Sequence, residues 1–399
     1  MRYTIDQTHV RAYNKRIILD QMYHCETVSR ADLSRKVHIS KSAMTENISA
    51  LLETGIIHEV GEGKSMSLGG RKPILLELNK EYCYIIAIEL NFEDPIFVLS
   101  NLGGEILNRL SFSIAPQSQF EERLALLQHA IDTLLASKQL DASKLAMIAI
   151  STPGVYLSNQ QNYRISPQFR AWQIPDLKHT IEKIYQVNTL IVNDVNAAAL
   201  GELNAGIGRH AENLFYISCG LGLGAGLIIN GQLYEGSSKA AGEIAYFYTE
   251  ETAISQTTLE SHLNIAYLFR IFEQNAPLSS RQHLQRISAT PLYPTFKDLS
   301  SLWQHGDVFM KECIETIGNI LARVICNHIS LLNCDRAIFG GEYLVFAQQL
   351  LPIINDFVQK NAFLPIEVLA SELGRNAGIR GLLALSSKTI LDEFCHTSL

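Results

Sequence analysis

Scarcity marks this chain more than abundance does. Its 399 residues hold two tryptophans and seven cysteines (Cys25, Cys83, Cys219, Cys313, Cys326, Cys334, Cys395), an odd number with no C-x-x-C pair. Such spacing excludes a disulfide framework and a cysteine metal cluster, and leaves reduced core residues. No run of 18 apolar residues occurs, so no membrane span is expected. The opening stretch MRYTIDQTHVRAYNKR has no apolar core of the secretory type, which points to a cytoplasmic location. Charged residues make up only 18% and hydrophobic ones 47%. That balance excludes a disordered chain and suits two or three packed domains.

The charge that is present divides unevenly. Residues 1–80 carry 12 Lys and Arg against 9 Asp and Glu, and the remainder 21 against 31. A mildly basic module therefore precedes an acidic body, as in proteins that read nucleic acid at one end and something else at the other.

Within the module, residues 10–24 bring Ile17, Ile18, Met22 and Tyr23 to one helical face and Arg11, Lys15 and Arg16 to another. Ser29, with Asp32 three residues on, is a capping pair that opens a short helix ending near Val37. After a tight connection, Ser40 caps a second helix, Lys41 to Glu53. It is expected to bury Met44, Ile48, Leu51 and Leu52 and to leave Lys41, Ser42, Thr45, Glu46 and Asn47 outside. A short turn between two helices, the second polar at its start, is the geometry that offers a recognition helix to a major groove. Two strands, Ile56 to Val60 and Ile74 to Leu78, flank a tip whose Lys64, Arg71 and Lys72 suit phosphate or minor-groove contact. A small helical cap or dimerisation domain has the same local pattern.

From residue 82 the pattern becomes α/β. Two buried strands and a Gly103-Gly104 hairpin lead into helix 119–137, strand 145–151, helix 177–186, strand 189–194 and helix 195–204. A second round starts with the strands NLFYISCG and GAGLIING. It ends with helix 308–332, the strand RAIFGG and a helix from Tyr343. Two rounds imply two lobes, with a ligand cleft expected between them.

Both parts resemble one family. NKRIIL, SRADLS, SKSAMTENISALLETGIIHEVGEG and GGRKP are similar to the winged helix-turn-helix of regulators in the ROK family (repressors, open reading frames and kinases). STPGV, VNDVNAAALGE, SCGLGLGAGLIINGQLYEG, AGEI, FGGE and NAGIRGLLAL follow in that family's order. The resemblance covers nearly the whole chain and includes the xylose-repressor and N-acetylglucosamine-repressor branches. It implies a winged helix-turn-helix over 1–80 and a two-lobed, actin-like ATPase fold. The lobes would span 81–205 and 206–399, with the C-terminal helix packing back on the first.

What chemistry survives can be checked residue by residue. Kinases of this fold hold ATP at a first turn with an acid and Gly-Gly-Thr. Here Glu89 stands at the acid, but Asn91, Phe92 and Glu93 replace the small residues. A carboxylate beside a phosphate in a poorly hydrated site costs on the order of several kcal/mol, so productive ATP binding is not expected. The second loop keeps Gly220, Gly222, Gly224 and Gly226, which a tight hairpin or close packing needs as much as a nucleotide does. On the sugar side, Asn193 and Asp194 match a sugar contact and the kinase base, though Asn-Asp before a helix is also an ordinary cap. Glu243 and Glu260 match sugar-hydroxyl acceptors, and Gly154 offers backbone nearby. Relatives carry a histidine and a cysteine cluster for structural zinc. Tyr246 stands at the histidine position and no cysteine lies between Cys219 and Cys313, so no zinc or other cofactor is expected. Packing by Tyr246, Phe247 and Tyr248 is then expected to hold that loop, with His262 in no ligand role.

The resemblance thus implies a non-enzymatic, sugar-responsive repressor with Gly154, Asn193, Asp194, Glu243, Tyr246 and Glu260 around a sugar or sugar phosphate. Its partner is operator DNA, bound by a homodimer or tetramer, with lobe closure changing the spacing of the two winged helices. A sugar kinase with a fused DNA-binding domain, and a regulator titrated by a protein partner, are the alternatives.

Overall fold

The computed structural model describes residues 7–63, 72–91, 94–115, 117–138, 140, 142–157, 162–164, 167–288 and 294–397. They form two compact units, one of residues 1–152, 166–192 and 382–399, the other of residues 153–165 and 193–381.

The first unit begins with α1 (Gln7–Tyr23), β1 (Val28–Ser29), α2 (Arg30–Val37), α3 (Lys41–Thr54), β2 (Ile57–Glu62) and β3 (Ile74–Leu78). Both expected caps form: Ser29 Oγ accepts from Asp32 N at 3.2 Å, and Ser40 Oγ from Ala43 N at 3.3 Å. Gly55, in the left-handed region at φ 77°, ends α3. Order β1-β3-β2 makes the wing a three-stranded sheet. Leu33, Met44, Ile48, Leu51 and Leu76 are fully buried beneath it, together with Ile18, Leu19 and Met22 of α1. Three expectations need correcting. Lys15 is buried, because the apolar face of α1 is wider than its basic stripe allows, while Leu52 is only half-buried. Asn47 is buried too, its Nδ2 donating to Ala43 O at 2.7 Å, so its amide serves the helix and not the surface.

A five-stranded sheet completes this unit, built from β4 (Tyr84–Glu89), β5 (Ile96–Asn101), β6 (Ile106–Ser111), β7 (Leu145–Thr152) and β10 (Asn188–Asn193), in the order β10-β7-β4-β5-β6. Helices α4 (Phe120–Ala136) and α5 (Ile174–Tyr185) accompany it, and β8 (Val155–Leu157) pairs with β9 (Asn162–Arg164) as a separate hairpin of the second unit. Central β4 runs parallel to β7 and antiparallel to β5. Its apolar run Tyr84 to Ile88 fits a strand covered on both faces, whereas edge strand β6 alternates toward solvent.

In the second unit come α6 (Asp194–Ala205), β11 (Leu214–Cys219), β12 (Leu223–Ile229), β13 (Gln232–Leu233), α7 (Glu250–Ser255), α8 (Ile265–Asn275), α9 (Leu278–Ile287) and α10 (Phe296–Gln304). These are followed by α11 (Val308–Leu332), β14 (Arg336–Gly340), α12 (Ala347–Asn361), β15 (Val368–Ala370) and the start of α13 (Ala377–Thr397), which belongs to this unit only as far as Gly381. The sheet order is β13-β12-β11-β14-β15. Asp307 caps α11 by accepting from Met310 N at 3.1 Å, and one face of this long helix joins Phe215, Phe339, Tyr343 and Phe346 in the main core.

The compact units divide at 192/193, where the lobe boundary was expected at 205/206. Helix α6 packs on β12: a Cβ on Gly226 would lie 2.5 Å from Ala199 Cβ and 3.0 Å from Val195 O. The residues from 382 onward group with the first unit, where Asp392 pairs with Arg16 at 2.8 Å.

Candidate ligand and DNA-contact sites

Five of the six expected ligand residues lie around the N-terminus of α6 and the β11–β12 turn, all within the second unit. Asn193 caps α6, its Oδ1 accepting from Asn196 N at 3.0 Å while its Nδ2 donates to Gly154 O at 3.1 Å. The side chain expected to hold sugar therefore also ties the Gly154 turn, at φ 97°, to the helix start. Asp194 follows, half-buried, with Oδ1 accepting from Val195 N at 2.8 Å. Burial pushes its carboxyl up to about 6, and the nearby Glu342 carboxylate adds to the shift.

Glu260 lies on a short 3-10 turn, Leu259–His262, beside the β11–β12 turn; its carboxyl is raised by burial and partly held down by Leu223 N–H and the Asn264 side chain. Glu243 is half-buried at the start of the turn Ile244–Tyr246. The preceding Gly242 (φ 90°) accepts at its carbonyl from Ala225 N at 2.9 Å; any Cβ there would strike Ala225 O. Tyr246 is not drawn in with these residues. It is 58% exposed, since the apolar side of its turn is taken by Ile244 and Ala245.

The loop that zinc would brace is pinned differently. Phe247 stacks on the buried His328 at 5.0 Å and 7°, and His328 stacks on Phe215 at 4.5 Å and 14°. His328 Nδ1 lies 2.7 Å from Val324 O, and burial holds its basicity below the usual imidazole range. Of the three aromatics expected to pack the loop, Phe247 does so, while Tyr248 is 92% exposed. His262 Nε2 is 2.8 Å from Ser255 Oγ and 2.9 Å from Thr257 Oγ1. Among the described residues no three His, Cys, Asp or Glu side chains converge.

Glu342, of the FGGE motif, joins this cluster although the sequence reading named no role for it. It follows Gly340 and Gly341 at the end of β14, parallel to β11, and its Oε2 accepts from Leu221 N at 3.0 Å. A charge directly after two glycines at a strand end was the available signal.

In the N-terminal module, Ser40, Lys41, Ser42, Thr45 and Glu46 are exposed along one face of α3, and Ser49 continues that stripe. Glu46 is engaged with Arg11 of α1 at 2.6 Å, and Lys72 with Glu62 at 3.4 Å. Lys64 and Arg71, like Phe92 and Glu93 of the first turn, lie outside the described residues.

Comparison with known proteins adds a decisive match: the ROK family profile fits residues 85–389. The chain belongs to the ROK family. It is similar to the xylose repressor of Caldicellulosiruptor bescii, 24% identical over 392 residues and covering 95% of this chain and 96% of the repressor. Among solved structures, a ROK family transcriptional regulator homologous to the Escherichia coli MLC protein superposes with TM-score 0.76 at 20% identity, over 98% of this chain and 99% of its own. A ROK family glucokinase from Streptomyces griseus, in complex with glucose and AMPPNP, reaches TM-score 0.62 at 21% identity. It is matched over 98% of its length but only 76% of this chain. The ROK body thus has the fold shared by these regulators and sugar kinases, and this member extends well beyond the kinase's length. No helix among the described residues is long and apolar enough to cross a membrane.

Proposed function

We propose that this ROK protein is a sugar-responsive transcriptional regulator, a repressor of carbohydrate uptake or catabolism genes. The observation that carries the reading is coverage: the xylose repressor and the MLC homologue match 95% and 98% of the chain, whereas the glucokinase matches 76%. The additional length holds two capped helices and a wing, with an exposed polar stripe on α3 shaped for a major groove. Ser40, Lys41, Ser42, Thr45 and Ser49 would read the operator, Lys64, Arg71 and Lys72 its backbone, and a homodimer would place two such helices on a palindrome.

In the body, Asn193, Asp194, Glu243 and Glu260 offer acceptors and donors for polyol hydroxyls, and Gly154 offers backbone beside them. These groups need no nucleotide to bind a sugar. The protein is read as non-enzymatic because Asn91, Phe92 and Glu93 stand where a phosphate-binding turn needs small residues. Fluorescence anisotropy of DNA from the protein's own promoter region, titrated with protein in the presence of a sugar panel, tests the whole reading. One sugar should lower operator affinity; DNA binding that no sugar alters would direct the search to a protein partner.

A further inference from the structure

Resting on the reading of this pocket as a sugar site, the β11–β12 turn bears on whether the sugar is neutral or phosphorylated. The β11–β12 turn is a glycine-rich bend at the carboxyl end of β11, which runs parallel to β14, and bends of this kind offer backbone N–H groups to anions. An anion already fills it. Glu342 Oε2 accepts from Leu221 N at 3.0 Å, and its side chain lies against Gly220 so closely that any Cβ there would overlap the carboxylate. Gly220 N is spent within the turn, on Gly222 O at 3.0 Å.

We propose that Glu342 is a built-in anion that closes this turn to phosphate and confines the site to neutral sugars, excluding nucleotides and sugar phosphates alike. An incoming phosphate meets two obstacles. The Leu221 donor it needs is taken, and the occupant carries the same sign of charge in a poorly hydrated place. Neighbouring groups reinforce the second obstacle. The charged side chains acting on Asp194 and on buried Cys219 are carboxylates, Glu342 on both and Glu260 on the thiol. A neutral polyol bypasses both obstacles, since its hydroxyls donate to carboxylates and need no amide from the turn.

The test compares full-length wild type with Glu342→Gln and Glu342→Ala, titrated calorimetrically with tripolyphosphate, Mg-ATP, a hexose 6-phosphate and neutral pentoses and hexoses. The amide keeps the size and removes the charge; alanine removes both, and Glu342→Gln carries the test if alanine unfolds the chain. Wild type should show no heat with any phosphate, and the variants should gain tripolyphosphate affinity by about tenfold or more, the worth of one charge-assisted hydrogen bond. Mg-ATP and the hexose phosphate then show which phosphate source the opened turn accepts. Wild type binding tripolyphosphate or the hexose phosphate as tightly as the variants do overturns the proposal, as do folded variants with no gain. Neutral sugars that bind none of the three proteins defeat the sugar reading but leave the phosphate comparison standing.

Discussion

The two five-stranded sheets follow one plan: β6-β5-β4-β7-β10 in the first unit and β13-β12-β11-β14-β15 in the second. Each begins with an antiparallel meander and then adds a parallel strand beside its first. Their first turns have nonetheless diverged. After β4 the chain continues as Leu90, buried and bonded through its amide to Ser151 O at 2.9 Å, then Asn91, with no glycine before Pro95. After β11 the glycines remain, and a carboxylate from the neighbouring strand end fills the bend. Topology survives because it rests on dozens of buried side chains. Phosphate chemistry rests on a few turn residues, and on the proposed reading each turn departs from it by a different change.

The largest effect that would break the comparison is structural. Gly226→Val should drive a branched side chain into Ala199 and Val195, forcing α6 off β12 at a cost of about 3 kcal/mol, read as a fall in melting temperature. Next comes the ligand side. Asp194→Asn should weaken sugar binding by about 10- to 100-fold if its carboxylate accepts a hydroxyl, as calorimetry would show.

A smaller effect follows from pH. A carboxyl raised from 3.8 to about 6 holds its proton more tightly in the folded chain than in the unfolded one. Ionising Asp194 therefore costs stability: the penalty is absent below about pH 4, grows as pH rises toward 6 and is complete above it. Relative to Asp194→Asn, wild type should lose on the order of 1 kcal/mol across that window, measured by denaturant unfolding at several pH values. The least effect is expected from repairing the first turn alone. Replacing Asn91, Phe92 and Glu93 by Gly, Gly and Thr should produce no ATP turnover while Glu342 still fills the second turn. Turnover by that triple variant would show the turns to be unequal, with the first deciding alone.

Much of this architecture was legible in one dimension. Ser29 and Ser40 announced their helices because a capping hydroxyl acts within three residues, and α11 showed itself by a long periodic run. Helices α8, α9 and α10 escaped notice, being short segments that pack mainly on one another and on α11. Asn47 looked exposed by position on the helix wheel, yet its amide turned inward to Ala43 O. Tyr246 was assigned to the ligand from alignment with a histidine, and no local signal could show it facing outward.

By itself the sequence determined the order of elements outside the α8–α10 segment, the caps, the paired α/β rounds and the absence of a cysteine cluster, since each depends on residues near one another along the chain. Only the tertiary structure decided that Glu342 sits in the glycine turn 121 residues earlier, and that Phe247 stacks on His328, which itself stacks on Phe215. Both depend on parallel strands and a long helix bringing distant segments within bonding range, which no local pattern encodes.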